Sequence, residues 1–244
     1  MPAPGRATTV GVMLDTSAVV IGASGGIGRA LADSLEGGGR YVWVHRLGRS
    51  LESEARIDVE DEASIAAAAE RVGAGPPPTL ILVATGVLDG GQEPERTYKA
   101  MTAEHLLRDY RINTVGPALM MKHFAPLMPR DRRAVFAALS ARVGSIGDNR
   151  LGGWHSYRAS KAALNMLLRN LAVELGRSHP QAVVAGLHPG TVDTGLSKPF
   201  QKGVAEGKLF TPAYSAERLL AVLDALTPSD SGGVFAWDGA RIPE

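Results

Sequence analysis

Ala18-Val-Val-Ile21-Gly22-Ala-Ser24-Gly25-Gly26-Ile27-Gly28-Arg29 runs from a β-branched stretch, through four glycines, into a segment with helical apolar spacing. Gly22, Gly26 and Gly28 stand where a strand turns tightly, where a pyrophosphate reaches the backbone, and where the following helix packs on its strand. An anion in that turn meets the free N–H groups of the helix N-terminus, with Ser24 and Ile27 in the same cradle. Gly25 allows a second register, Gly22-x-x-Gly25-x-x-Gly28. A turn that needs glycine only for positive φ is the plainer reading, and the strand before it and helix after it argue against that.

Outward from the turn, short β-branched runs alternate with longer helical patterns, as in repeated βαβ units. Strands are expected at Ala18–Ile21, Tyr41–Val44, a short third one ending near Ile57-Asp58, Leu80–Val83, Ala134–Leu139, Ala182–Ala185 and Gly233–Trp237. Helices are expected at Ile27–Leu35, Glu62–Val72, Ala103–Met128, Tyr157–Leu175 and Ala216–Leu226, with Thr102 and Ser215 as starts. The expected fold is α/β: a Rossmann-type, doubly wound parallel sheet flanked by helices, in one domain over residues 1–244. Lys198 to Thr211 carries no regular pattern, and a substrate-covering segment is expected at about 195–212. Its Leu196, Phe200 and Phe210 suggest an apolar lid.

Composition narrows the function. A net charge of +1 over 244 residues argues against a general nucleic-acid binder. The absence of cysteine excludes thiolate catalysis, disulfides and Cys-type zinc sites. The six histidines show no paired ligand spacing, so no catalytic metal is expected. Met1 to Asp15 reads as no signal peptide and no apolar run reaches a membrane span, so a cytoplasmic protein is expected.

Two further patterns give the chemistry. The second strand ends His45-Arg46, with Arg49 nearby and no acidic residue at the tip, which favours NADP over NAD. Arg29 offers a second contact to the same phosphate. Asp58 is placed to accept from an adenine amino group, or equally to cap a helix. Downstream, Tyr157 and Lys161 stand at i and i+4 and share a helix face. A phenol serves as proton donor to a carbonyl when a cation stabilises its phenolate, so Lys161 is expected to lower the Tyr157 pKa. Trp154 and His155 are expected to border the substrate cavity, and His188 to face the Pro189-Gly190 turn.

Taken together, Gly22 to Gly28, Asp58-Val59, Asn113-Thr114, Tyr157-x-x-x-Lys161 and Pro189-Gly190 with Thr194 make the chain resemble a short-chain dehydrogenase/reductase of the compact single-domain branch. The loop Leu139–Gly147 and the run Tyr157–Asn165 look most like the C-factor and sniffer-type carbonyl reductases. The resemblance implies that Asn113 bends its helix and holds a water linking Lys161 to solvent. It also implies that Pro189, Gly190, Thr191 and Thr194 bind the nicotinamide amide and phosphates, with Val59 and Gly86 on the adenosine side. Dimers or tetramers built from the two long helices are implied as well.

Two departures stand out. Val83-Ala-Thr-Gly86 replaces the family's Asn-Asn-Ala-Gly, and Ala141 stands where a substrate-orienting serine is expected. That hydroxyl comes from Ser145, the preferred choice, or from Ser140, or from neither. The expected activity is NADP-dependent hydride transfer between nicotinamide and a ketone, aldehyde or secondary alcohol. The alternatives are a cofactor-binding signalling or scaffold protein with little turnover and, disfavoured by chain length, an epimerase or dehydratase.

Overall fold

The computed structural model describes residues 14–88 and 93–244. The N-terminal stretch read above as no signal peptide lies, up to residue 13, outside the described residues. Strands β1 (Leu14–Ile21), β2 (Tyr41–Leu47), β3 (Pro78–Val83), β4 (Ala134–Leu139), β5 (Ala182–His188), β8 (Gly233–Ala236) and β9 (Arg241–Ile242) form a seven-stranded sheet in the order β2-β1-β3-β4-β5-β8-β9. All neighbours are parallel except β8 and β9. Strands β6 (Thr191–Val192) and β7 (Leu209–Phe210) pair separately.

Because β1 lies between β2 and β3, the winding direction reverses at its carboxyl end and opens a crevice there. The strands read as continuous apolar runs because helices cover both faces. Helices α2 (Glu62–Gly73), α4 (Gly116–Phe124) and α5 (His155–Leu175) cover one face, where Val19, Ile21, Ile81 and Phe136 are fully buried or nearly so. Helices α1 (Gly26–Gly37) and α6 (Pro212–Ala225) cover the other, over Ala18, Val20, Leu82 and Leu187.

Several expectations change. The third strand near Ile57-Asp58 is absent: the chain from Ser53 to Ala55 makes a 3-10 turn with Ser53 at φ 51°, and only the bridge Gly48↔Arg56 forms. Two β-branched residues, Ile57 and Val59, do not sustain a ladder, so β2 is the sheet edge and Trp43 is left exposed. The long helix expected over Ala103–Met128 is split into α3 (Ala103–Tyr110), a π-helical segment Arg111–Val115 and α4, with Pro117 in the first turn of α4. Thr102 caps α3, accepting from His105 N at 3.1 Å. Helix α6 starts earlier than expected: Thr211 caps it and Pro212 fits the first turn.

Candidate active site

At the carboxyl edge of the sheet three cavities share walls and form one groove. The first, about 370 Å³, runs from Arg49 past Ser24, Val59 and Gly86. The second, about 310 Å³, lies over the α1 N-terminus and reaches Tyr157 and Lys161. The third, about 310 Å³, extends from Tyr157 beneath Leu196, Phe200 and Val204.

The glycine turn fits a dinucleotide by steric test. Gly22 holds φ 91°, and a Cβ there would lie 2.7 Å from Ala84 O. A Cβ at Gly28 would lie 2.2 Å from Gly22 O, so the strand-to-helix turn closes only without side chains. The α1 N-cap, Gly25, offers no side-chain acceptor, which leaves the first N–H groups of the helix for an anion in the cavity that Gly26, Ile27 and Gly28 line. Thr194 faces the same turn, its methyl 2.7 Å from a Cβ built on Gly26. Pro189 lines both inner cavities, and Gly190 and Thr191 line the third. Ser215, not the cap it resembled, donates from Oγ to Pro189 O at 3.0 Å and ties α6 to that turn.

The end expected to hold adenosine is arranged differently. Arg46 is held by α1: its Nη2 lies 2.6 Å from Asp33 Oδ1 and 2.7 Å from Glu36 Oε2, and its Nε donates to Glu36 Oε1 at 2.8 Å. The paired Glu36 carboxyl is held below its usual range by that hydrogen bond. Arg46 therefore turns back along the helix, while Arg49 lines the cavity. Arg29 points its Nη2 at Ser24 O, 3.5 Å away. Asp58 closes a local turn, its Oδ1 accepting from Glu60 N at 3.1 Å, and the helix cap is Asp61. Val59 and Ile57 wall the cavity instead.

At the other end Tyr157 and Lys161 are both buried on one face of α5, with the Lys161 ammonium 5.8 Å from the Tyr157 ring centroid. Lys161 Nζ donates to Leu139 O at 2.9 Å. Burial pushes the Tyr157 phenol well above its ordinary value, and the Asp109 charge adds to this. The net direction is therefore opposite to the one expected of the Tyr157–Lys161 pair, burial being the largest influence. The same burial depresses the ammonium to about 8, with Asp109 opposing the change. Dry surroundings disfavour both charged forms, so the phenol keeps its proton.

Asn113 sits fully buried in the π segment. Its Oδ1 accepts from Val87 N at 2.8 Å, while Nδ2 donates to Val87 O at 2.9 Å and to Ser160 Oγ at 3.1 Å. It thereby bolts the loop after β3 to the helix that carries Lys161.

Ser145 is not brought to the groove. A 3-10 turn over Arg142–Gly144 carries it into the protein, where its Oγ accepts from Asp148 N at 3.0 Å. Ser140 reaches the groove, yet its hydroxyl donates to Asn165 Oδ1 at 2.6 Å. Ala141 faces the third cavity. Trp154 also lines it, edge-on to Phe200 at 5.3 Å between centroids. Phe210 does not: it packs on Trp237 at 4.6 Å.

Sequence reading missed Glu95. Its carboxylate accepts from Ser156 N at 3.2 Å and from Ser156 Oγ, and its carbonyl accepts from Trp154 N at 2.5 Å. It so fixes the first turn of α5, one residue from Tyr157. The partners lie 61 residues apart, and no local pattern links them.

Comparison with known proteins gives the family. The family profile described as short chain dehydrogenase matches residues 16–205. A 1-hydroxy-2-glutathionyl-2-methyl-3-butene dehydrogenase of Rhodococcus sp. (strain AD45) is 32% identical over 235 residues, covering 93% of this chain and 99% of that one. The C-signal protein of Myxococcus xanthus is 33% identical over 57% of this chain and 78% of its own. Among solved structures, the NADPH-bound carbonyl reductase from chicken fatty liver superposes with a TM-score of 0.80 at 26% identity, covering 96% of this chain and all of that one.

Proposed function

The chain belongs to the short-chain dehydrogenase family and is an oxidoreductase, and on that footing we propose that it reduces a ketone or aldehyde with an apolar body at the expense of NADPH, Tyr157 donating the proton. The observation that carries this reading is the buried Tyr157–Lys161 pair, with Tyr157 lining both the second and third cavities and Lys161 the second. When bound, NADPH supplies the hydride for the carbonyl carbon. Tyr157 holds its proton in dry surroundings and releases it to the oxygen as charge develops there. Lys161 stabilises the resulting phenolate, and Asn113 supports the path by which the proton is replaced.

The glycine turn with Ser24 holds the pyrophosphate, and the residues from Pro189 to Thr194 hold the nicotinamide end. Gly86 and Val59 flank the adenosine. Arg49, which lines the cavity while Asp33 and Glu36 hold Arg46, meets the 2′-phosphate, and the NADPH bound by the 26% identical chicken enzyme supports NADP as the cofactor. The segment at about 195–212 covers the substrate, with Leu196 and Phe200 as its apolar lining. Exposed Leu107, Val115, Met166 and Val173 on α3, the π segment and α5 offer a self-complementary face for a homodimer. We place the enzyme in the cytoplasm. Among the described residues no helix is long and apolar enough to cross a membrane.

The test is fluorescence titration of the protein with NADPH and with NADH, followed by NADPH oxidation over a panel of aldehydes and ketones. Saturable turnover with NADPH preferred is expected. Tight NADPH binding with no turnover on any carbonyl would instead favour a signalling role, which the similarity to the C-signal protein keeps as the second reading.

A further inference from the structure

A carbonyl oxygen receiving hydride at its carbon gathers negative charge, and preorganised donors aimed at it lower the barrier. On the reductase reading above, on which this inference rests, Tyr157 is one such donor. The loop after β4 offers no second one: Ala141 presents a methyl group to the cavity. Of the serine hydroxyls at this wall, none is aimed at the cavity free of a partner. Ser140 donates to Asn165, Ser197 donates to the Val192 carbonyl, and Ser145 stands outside the cavity. Arg142, at the same wall, has its Nε on Asp148 at 2.6 Å. Thr194 packs its methyl over Gly26 on the cofactor side.

His188 remains. It ends β5 and lines the third cavity together with Ala141 and Tyr157. The bond from Ser140 N to Leu187 O, 2.8 Å, pins the two strand ends together, so the imidazole is set beside the Ser140–Ala141 step. Its Nδ1 is buried without a hydrogen-bond partner. A proton there would leave a buried donor with no acceptor, so the ring carries its proton on Nε2. Burial, helped by the Arg142 charge, depresses the imidazole to about 4, and the ring is neutral where the enzyme works. A neutral imidazole donates a hydrogen bond without giving up its proton, the arrangement by which some isomerases polarise a carbonyl.

We propose that His188 is the second hydrogen-bond donor to the substrate carbonyl oxygen, taking the place that Ala141 cannot fill. The imidazole keeps its proton throughout. The new O–H bond takes its proton from Tyr157, and the new C–H bond takes the hydride.

Steady-state kinetics with NADPH and 4-nitrobenzaldehyde test this, with NADPH affinity measured by fluorescence on each variant. His188→Leu is expected to lose about 100-fold in kcat, the scale of one lost oxyanion donor, with NADPH affinity within about twofold of wild type. His188→Gln, which keeps an N–H donor, is expected to recover at least about tenfold of that loss, and Ala141→Ser added to His188→Leu to recover a similar share. A merely structural histidine would not be relieved by a hydroxyl on the loop after β4. If His188→Leu fails to fold, His188→Gln against His188→Ala with and without Ala141→Ser carries the same comparison. Wild-type kcat in His188→Leu, or a loss that neither change relieves, overturns the proposal alone. Absence of turnover in the wild-type protein overturns the reductase reading and this inference with it.

Discussion

The two ends of the groove were read from equally short sequence patterns, yet only one kept its partners. At the end where the second and third cavities meet, Tyr157 and Lys161 share a helix and are almost wholly buried, so their relation is set by helical spacing and by the strand beneath them. At the end proposed for adenosine Arg46 and Arg49 stand at a strand tip open to solvent, and there the nearest opposite charge decides. Asp33 and Glu36 on α1 capture Arg46, leaving Arg49 for the cavity. A buried pair is constrained by geometry, whereas an exposed long side chain takes whichever counter-charge the fold brings within about 3 Å, for little energy.

The strongest way to break the comparison is at the buried end. Tyr157→Phe is expected to lower kcat about 1,000-fold or more with NADPH affinity unchanged, measured by stopped-flow oxidation and equilibrium titration. Residual activity near wild type would move the proton donor elsewhere.

The pH profile sharpens the same end. Lys161 carries its charge below its depressed value of about 8 and loses it above. The reduction rate should therefore be flat below about pH 8 and fall toward tenfold per unit above it. Lys161→Arg, which stays protonated, should remove that fall even where it slows the reaction.

At the exposed end the effects should be smaller and split between two arginines. Arg49→Ser is expected to reduce the preference for NADPH over NADH by about 10- to 100-fold, read as the ratio of kcat/KM values. Arg46→Ala should alter that ratio by less than about threefold. Its cost should fall on stability instead: about 0.5 kcal/mol, seen as a fall of about 1–2 °C in Tm, because the ion pairs it breaks are partly solvated. If Arg46→Ala changes the cofactor preference more than Arg49→Ser does, the assignment of the two arginines is reversed.

Much of this architecture was legible because its signals are local. The Gly22–Gly28 turn, six of the seven expected strands, the Thr102 cap and the one-sided spacing of Tyr157 and Lys161 each follow from a few adjacent residues. The strand near Ile57 failed because propensity alone was asked to build a ladder at a sheet edge, with no neighbour beyond it to reward the pairing. Strand β9 is two residues long and exists only by antiparallel pairing with β8, so periodicity does not announce it.

By itself the sequence determined the parallel sheet, the strand-to-helix glycine turn and the one-sided spacing of Tyr157 and Lys161, since backbone sterics and helical spacing act over a few residues. Only the tertiary structure decided which arginine reaches the cofactor groove, that Ser145 turns inward while Ala141 and His188 face the cavity, and that Glu95 fixes the first turn of α5. Those outcomes rest on contacts between residues far apart in the chain, and burial and charge competition act only once the fold has brought such residues together.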